Sequence, residues 1–113
     1  MITSIRKIGL AIAFSPRAEA LLAEAARLKK MWNAELFLIH VGDHGEKEEL
    51  RLKELLESTG LEQGNAVKVL WETGNPSKRI LYACEKEDID LVIAGALKKE
   101  KLVQYYLGTV ARK

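Results

Sequence analysis

Short uncharged apolar runs alternate along this chain with longer stretches in which apolar residues recur every three or four positions. Ile8-Gly9-Leu10-Ala11-Ile12-Ala13 is an uninterrupted run of the kind expected for a strand buried on both faces of a sheet. Ser15 then sits as an N-cap and Pro16 at a first helical position. Ala18, Leu21, Leu22, Ala25, Leu28 and Met31–Trp32 follow as one helical face, and Asn33 reads as the stop. A second strand is predicted at Glu35–Val41. It is broken by Gly42-Asp43-His44-Gly45 and followed by a charged helix from Glu46 to Ser58. Leu52, Leu55 and Leu56 form the narrow apolar stripe of that helix, its charges form a solvated face, and Gly60 caps it. Val67–Trp71 is a third strand, and the turn Gly74-Asn75-Pro76 opens a third helix at Ser77 with Ile80, Leu81 and Cys84 on its inner face. Ile89–Ala94 is a fourth strand ending at Gly95. A lysine-rich loop comes next, and Val103 to Lys113 reads as the start of a fourth helix on which Tyr105 and Tyr106 pack against the sheet.

Strands alternating with helix-length crossovers predict right-handed βαβ units, a parallel sheet and a doubly wound three-layer α/β/α fold. The 113 residues make one domain, expected to bury roughly two-thirds of the surface its unfolded chain exposes. In an open parallel sheet, ligands collect beyond the carboxyl ends of the strands where strand order reverses. Here those ends carry Ala13-Phe14-Ser15, Val41-Gly42-Asp43, Trp71 to Gly74, and Gly95 to Lys98. Gly95, the basic loop and Gly108-Thr109 have the ingredients of a phosphate site: close-approaching amides, a helix start and a hydroxyl.

Composition narrows the function. A net charge of +2 with no long Lys/Arg run gives no nucleic-acid footprint. No stretch approaches the ~20 apolar residues of a membrane span, so no direct membrane segment is expected. The single cysteine, Cys84, excludes an internal disulfide and points to a reducing, cytoplasmic setting. Cys84 itself reads as a small core residue, His40 as a satisfied core histidine, and Trp32 and Trp71 as packing residues, the latter bordering a pocket. His44 with Asp43 is a metal pair without further ligands. No Ser-His-Asp arrangement, metal-ligand spacing or paired carboxylates stand on an apolar face, so no catalytic residue and no enzyme activity are expected.

Several pieces, in order, resemble the universal stress protein family. They are Lys7-Ile8 through Ala13-Phe14-Ser15, Leu38-Ile39-His40-Val41, Gly74-Asn75-Pro76, Asp90-Leu91-Val92-Ile93-Ala94-Gly95, and Tyr106-Leu107-Gly108-Thr109-Val110-Ala111. The resemblance implies a regulatory module of the stress response, with ATP or another adenine nucleotide as its ligand. Nucleotide-binding members carry Gly, two residues, Gly, nine residues, Gly, then Ser or Thr. In this chain Gly95 and Gly108-Thr109 match, while Lys98 stands where the middle glycine belongs. Ala13 takes the place of the aspartate that ends the family's first strand. The implied site is therefore Ala13 and Val41 on the base side, with Gly95, Lys98, Gly108 and Thr109 on the phosphate side, in a degenerate form. The other reading is a nucleotide-independent dimerisation domain, alone or within a tandem or transporter-linked protein. An enzyme of the wider adenine-nucleotide hydrolase-like group would need a glycine- and serine-rich loop after the first strand. The resemblance also implies a fifth strand after Lys113, so that four strands are visible, the fifth is absent and the domain at 1–113 is incomplete. An open edge on the fourth strand is the expected consequence, covered by the rest of a longer protein, a partner or self-association into a homodimer.

Overall fold

The computed structural model describes residues 5–14, 17–64 and 66–94 with their side chains, and residue 95 and residues 103–106 by their backbone. The elements are β1 (Lys7–Ala11), α1 (Ala18–Trp32), β2 (Glu35–Val41), α2 (Glu46–Thr59), β3 (Val67–Glu72), α3 (Pro76–Lys86), β4 (Leu91–Gly95) and β5 (Val103–Tyr106). The five strands lie in the order β3-β2-β1-β4-β5. The first four are mutually parallel: Ile8 sits beside Leu36 on one side and Leu91 on the other, and Leu38 beside Val69. This is the doubly wound parallel α/β arrangement that the alternation of runs predicts.

One expectation is overturned. The segment read as a fourth helix contains β5, which pairs antiparallel with β4 through Val92–Tyr106 and Gly95–Val103. The β4 edge expected to be open is thus covered by β5, a strand that precedes the one expected after Lys113. Valine and paired tyrosines favour a pleated surface. The outer N–H and C=O groups of β4 offer such a segment a ready ladder. An antiparallel partner, unlike a parallel one, needs no helix to bring it back.

Alternation along each strand divides the interior into two cores. Ile8, Leu10, Leu36, Leu38, Val67 and Ile93 point toward α1 and α2, where Leu22, Ala25, Leu28, Leu52, Leu55 and Leu56 meet them. Phe37, Ile39 and Val92 point to the other face, against Ala83 and Cys84 of α3 and against Ile89. The inner faces are narrower than the sequence spacing suggests. Met31 is 55% exposed and Trp32 38%, because α1 overruns the sheet at its last turn; Leu81 of α3, at 59%, also faces outward.

The helix ends follow local chemistry. Asn33 (φ 53°) and Gly60 (φ 75°) close α1 and α2 in the left-handed conformation. The Glu48 carboxylate accepts the Gly45 N–H at 3.0 Å at the start of α2. Ser15 and Pro16 lie outside the described residues; α1 itself starts at Ala18, one position after Arg17. α3 starts at Pro76, one residue before the expected Ser77, with Asn75 as its N-cap: the Asn75 side chain accepts the Lys78 N–H at 3.1 Å. Asn75→Ala is expected to destabilise the fold by about 1 kcal/mol, read as a lower urea midpoint with an unchanged slope.

The amino-terminal side of the sheet is tied at its centre. The Asp90 carboxylate accepts the backbone N–H groups of Arg6 (2.9 Å) and Lys7 (3.1 Å), and the Asp90 N–H donates to the Lys7 carbonyl (2.9 Å). Lys7 Nζ donates in turn to the Glu87 carbonyl at 3.0 Å. These bonds fix where β1 enters between β2 and β4, and so where it leaves at the opposite end.

Candidate functional site

Strand order reverses between β1 and β4, since β1 leads to β2 on one side and meets β4 on the other. Ala11 lies level with Ile39 of β2 and Ala94 of β4. Ala13, Val41 and Gly95 follow one or two residues beyond that level, so three of the implied site residues meet at one carboxyl edge. Ala13 is exposed and Val41 half-buried. Lys98, Gly108 and Thr109 lie outside the described residues.

Beside this switch point, on the face covered by α1 and α2, four rings are gathered that the sequence does not show to be neighbours. His40, at the end of β2, is 9% exposed. Its Nδ1 lies 3.0 Å from the Ile12 carbonyl oxygen, which can only accept, so Nδ1 carries the proton. The Phe14 ring lies 4.7 Å from His40, centroid to centroid, and Trp71 meets His40 edge-on at 5.5 Å. His44 stacks flat on Trp71 (3.7 Å, 2° between planes), and its Nε2 pairs with Glu49 of α2. The Arg51 guanidinium stands 6.0 Å over Phe14. The core reading of His40 and the packing reading of Trp71 agree with this geometry. Phe14, Glu49 and Arg51 were not singled out by the sequence. Only the Phe14-Ser15 pair after the first strand could have drawn attention to one of them.

Gly42 makes this corner possible. Its φ of +146° lies where side chains are rarely accommodated, and a Cβ there would come 3.4 Å from His40 Nε2. Its N–H donates to the Glu72 carbonyl at 2.9 Å, joining the loop to β3.

On the α3 face of the same edge, Arg79 Nε and Nη2 donate to Glu72 Oε1 at 3.0 and 2.6 Å, and the guanidinium covers Tyr82 at 4.3 Å. Arg79 is thereby held by a carboxylate and a ring. Among the described residues neither histidine is hydrogen-bonded to a hydroxyl or thiol, and no group of three or more His, Cys, Asp or Glu could hold a metal. The edge offers flat apolar and imidazole surfaces for a planar ring, together with backbone groups. No helix among the described residues is long and apolar enough to cross a membrane.

Cys84 lies on the opposite side of the sheet from these rings and is buried. Burial, and then the Glu85 charge, push its thiol up to about 11. Roughly one thiol in a thousand is then ionised at pH 8, so a disulfide reagent is expected to leave Cys84 unlabelled until denaturant is added. The folded state resists an ionisation that the unfolded chain undergoes freely. Stability is therefore expected to be whole below pH 9.0 and to fall as pH rises toward about 11. Replacing Cys84 by alanine should flatten that fall in a denaturation series.

Solved structures share this fold. Curated protein sequences give no match. A universal stress protein in complex with cAMP superposes with a TM-score of 0.68 at 12% identity, covering 80% of this chain and 71% of that one. A protein from Mycobacterium tuberculosis H37Rv gives 0.69 at 14% identity, covering 86% and 75%. A universal stress protein from Archaeoglobus fulgidus DSM 4304 gives 0.64 at 29% identity over 84% of this chain; the match spans 34% of that longer chain. The sequence pattern of the universal stress protein family matches residues 4–63 and 42–113, which together take in nearly every position, and the chain belongs to that family.

Proposed function

We propose that this chain is a regulatory module of the stress response that takes an adenine nucleotide at the carboxyl edge of the sheet, without a catalytic step of its own. The observation that carries the reading is the convergence of Ala13, Val41 and Gly95 where strand order reverses, the place where α/β sheets collect ligands. A similarly folded protein holding cAMP supports the ligand class. Ala13 and Val41 line the base, and Gly95, Lys98, Gly108 and Thr109 serve the phosphates. The Lys98 ammonium compensates phosphate charge where the family has a glycine. Ala13 offers only a methyl group where the family has a carboxylate for a ribose hydroxyl or an ion, so affinity is reduced.

Thermal melts with millimolar ATP, ADP, AMP and cAMP test this. A nucleotide at a hundred times its dissociation constant adds about 2.7 kcal/mol to stability. The Ala13→Asp, Lys98→Gly double variant is expected to shift further than the parent at equal nucleotide. Melting curves of both proteins that ignore all four nucleotides would overturn the reading. They would favour the second one, an association domain that keeps the fold without a ligand. The observation behind that alternative is that Glu72 already holds Arg79, leaving the described part of the edge poor in cations for phosphate.

A further inference from the structure

A groove of about 780 Å³ runs along α2 from His44, just past the end of β2, to Gln63. Leu50 stands in it, 57% exposed, with half-buried Leu61 beside it. Glu46, Glu49, Glu57 and Glu62 line it against a single Lys53, four carboxylates to one ammonium, on a chain whose net charge is +2. Of these, Glu49 is engaged by His44, whereas Glu46, Glu57 and Glu62 have no ion pair among the described residues. A merely solvated helix face has no need of a half-exposed leucine lining a concavity.

The same chain carries the opposite shape and charge. At the last turn of α1, where the helix overruns the sheet, Met31 (55% exposed) and Trp32 (38%) project beside Lys29 and Lys30. This is an apolar knob with a basic collar, and the α2 groove is an apolar floor with an acidic rim. We infer that the α2 groove receives the Met31–Trp32 knob of a second copy of this chain, with Lys29 and Lys30 facing the groove's glutamates. Tryptophan and methionine are favoured anchors at protein interfaces. In a two-fold dimer each contact occurs twice, so two modest patches add to one interface. The contact uses neither Ala13, Val41 and Gly95 nor β5, and it shares only His44 and Glu49 with the ring corner beside the switch point.

Sedimentation of the full chain over a range of concentrations tests it. A monomer–dimer equilibrium is expected, weakening as salt rises because the rim is charged. Leu50→Lys and Trp32→Glu, each at an exposed position, are expected to weaken association about tenfold or more. Circular dichroism and thermal midpoint at low concentration should stay unchanged, which separates a lost contact from a lost fold. Reversing Glu46, Glu57 and Glu62 to lysine is expected to weaken the dimer, and reversing Lys29 and Lys30 to glutamate in that same chain to restore it. In a Trp71→Phe background, the remaining Trp32 emission should shift to the blue as dimer forms. A chain that stays monomeric throughout overturns the inference, as does a dimer indifferent to Leu50→Lys and Trp32→Glu. Binding of a lysine-rich amphipathic model peptide by a chain that does not self-associate also overturns it, assigning the groove to a foreign basic partner.

Discussion

Replacing Phe37 by alanine is expected to lower the unfolding free energy by about 3–5 kcal/mol, against the 5–15 kcal/mol that holds a typical domain together. Phe37 is 1% exposed and sits mid-strand in β2, where it fills the core between the sheet and α3. That core is the smaller of the two, built from Ile39, Ala83, Cys84, Ile89 and Val92 besides Phe37 itself, and a small cluster cannot collapse into the space of a lost ring. Lys7 Nζ and Lys68 Nζ each also lie 5.9 Å from the ring centroid, so its polar neighbours lose a partner too. At several degrees per kcal/mol, a midpoint fall on the order of 20 °C follows for a chain this size. Calorimetry measures it directly. A fall of only a few degrees would mean that α3 is not seated on the sheet as described.

The second large effect is expected at Gly42. Gly42→Val places a branched side chain at φ +146° and 3.4 Å from His40 Nε2. Backbone strain of this kind costs about 1–3 kcal/mol, and crowding the imidazole brings the total to roughly 3 kcal/mol. The damage should be local before it is global. If His40 is pushed from the Ile12 carbonyl, Phe14 and Trp71 lose their shared neighbour. The emission of Trp71, read in a Trp32→Phe background, should change even where circular dichroism does not. The rings of the corner would be shown to be independent of the loop if Gly42→Val left both stability and Trp71 emission untouched.

Much of this molecule was legible in the sequence, for reasons that differ by element. The first strand, the leucine stripe of α2 and the stops at Asn33 and Gly60 are local signals, and the structure has them in place, although β1 ends at Ala11 and Ala13 is exposed. Residues whose fate depends on where the sheet ends were misjudged. Met31 and Trp32 keep the helical spacing of Leu28, yet no sheet remains beneath them. Val103, Tyr106, Leu107 and Val110 are spaced for a helix, and the pairing of residues 103–106 with β4 outweighs that spacing. The place of Ala13, Val41 and Gly95 at strand carboxyl ends followed from the alternation of strands and helices, and their choice as a site from the family resemblance. The stack of His44 on Trp71 did not, because it joins the loop after β2 to strand β3 through a register that only the assembled sheet fixes.

The clamp between Asp90 and the start of β1 joins positions 84 residues apart, and these two strands form the middle of the sheet, not its rim. β1, β2 and β3 are linked by single short crossovers, whereas β4 must arrive from far along the chain. Closing so long a loop is entropically slow, and high contact order sets the pace of folding. On a ribosome, residues 7–72 have emerged well before β4 can be used, so the nascent chain waits with one side of β1 unpaired. The carboxyl edge where Ala13 and Gly95 meet is therefore assembled only when β4 docks, in the same event that joins the two halves of the parallel sheet.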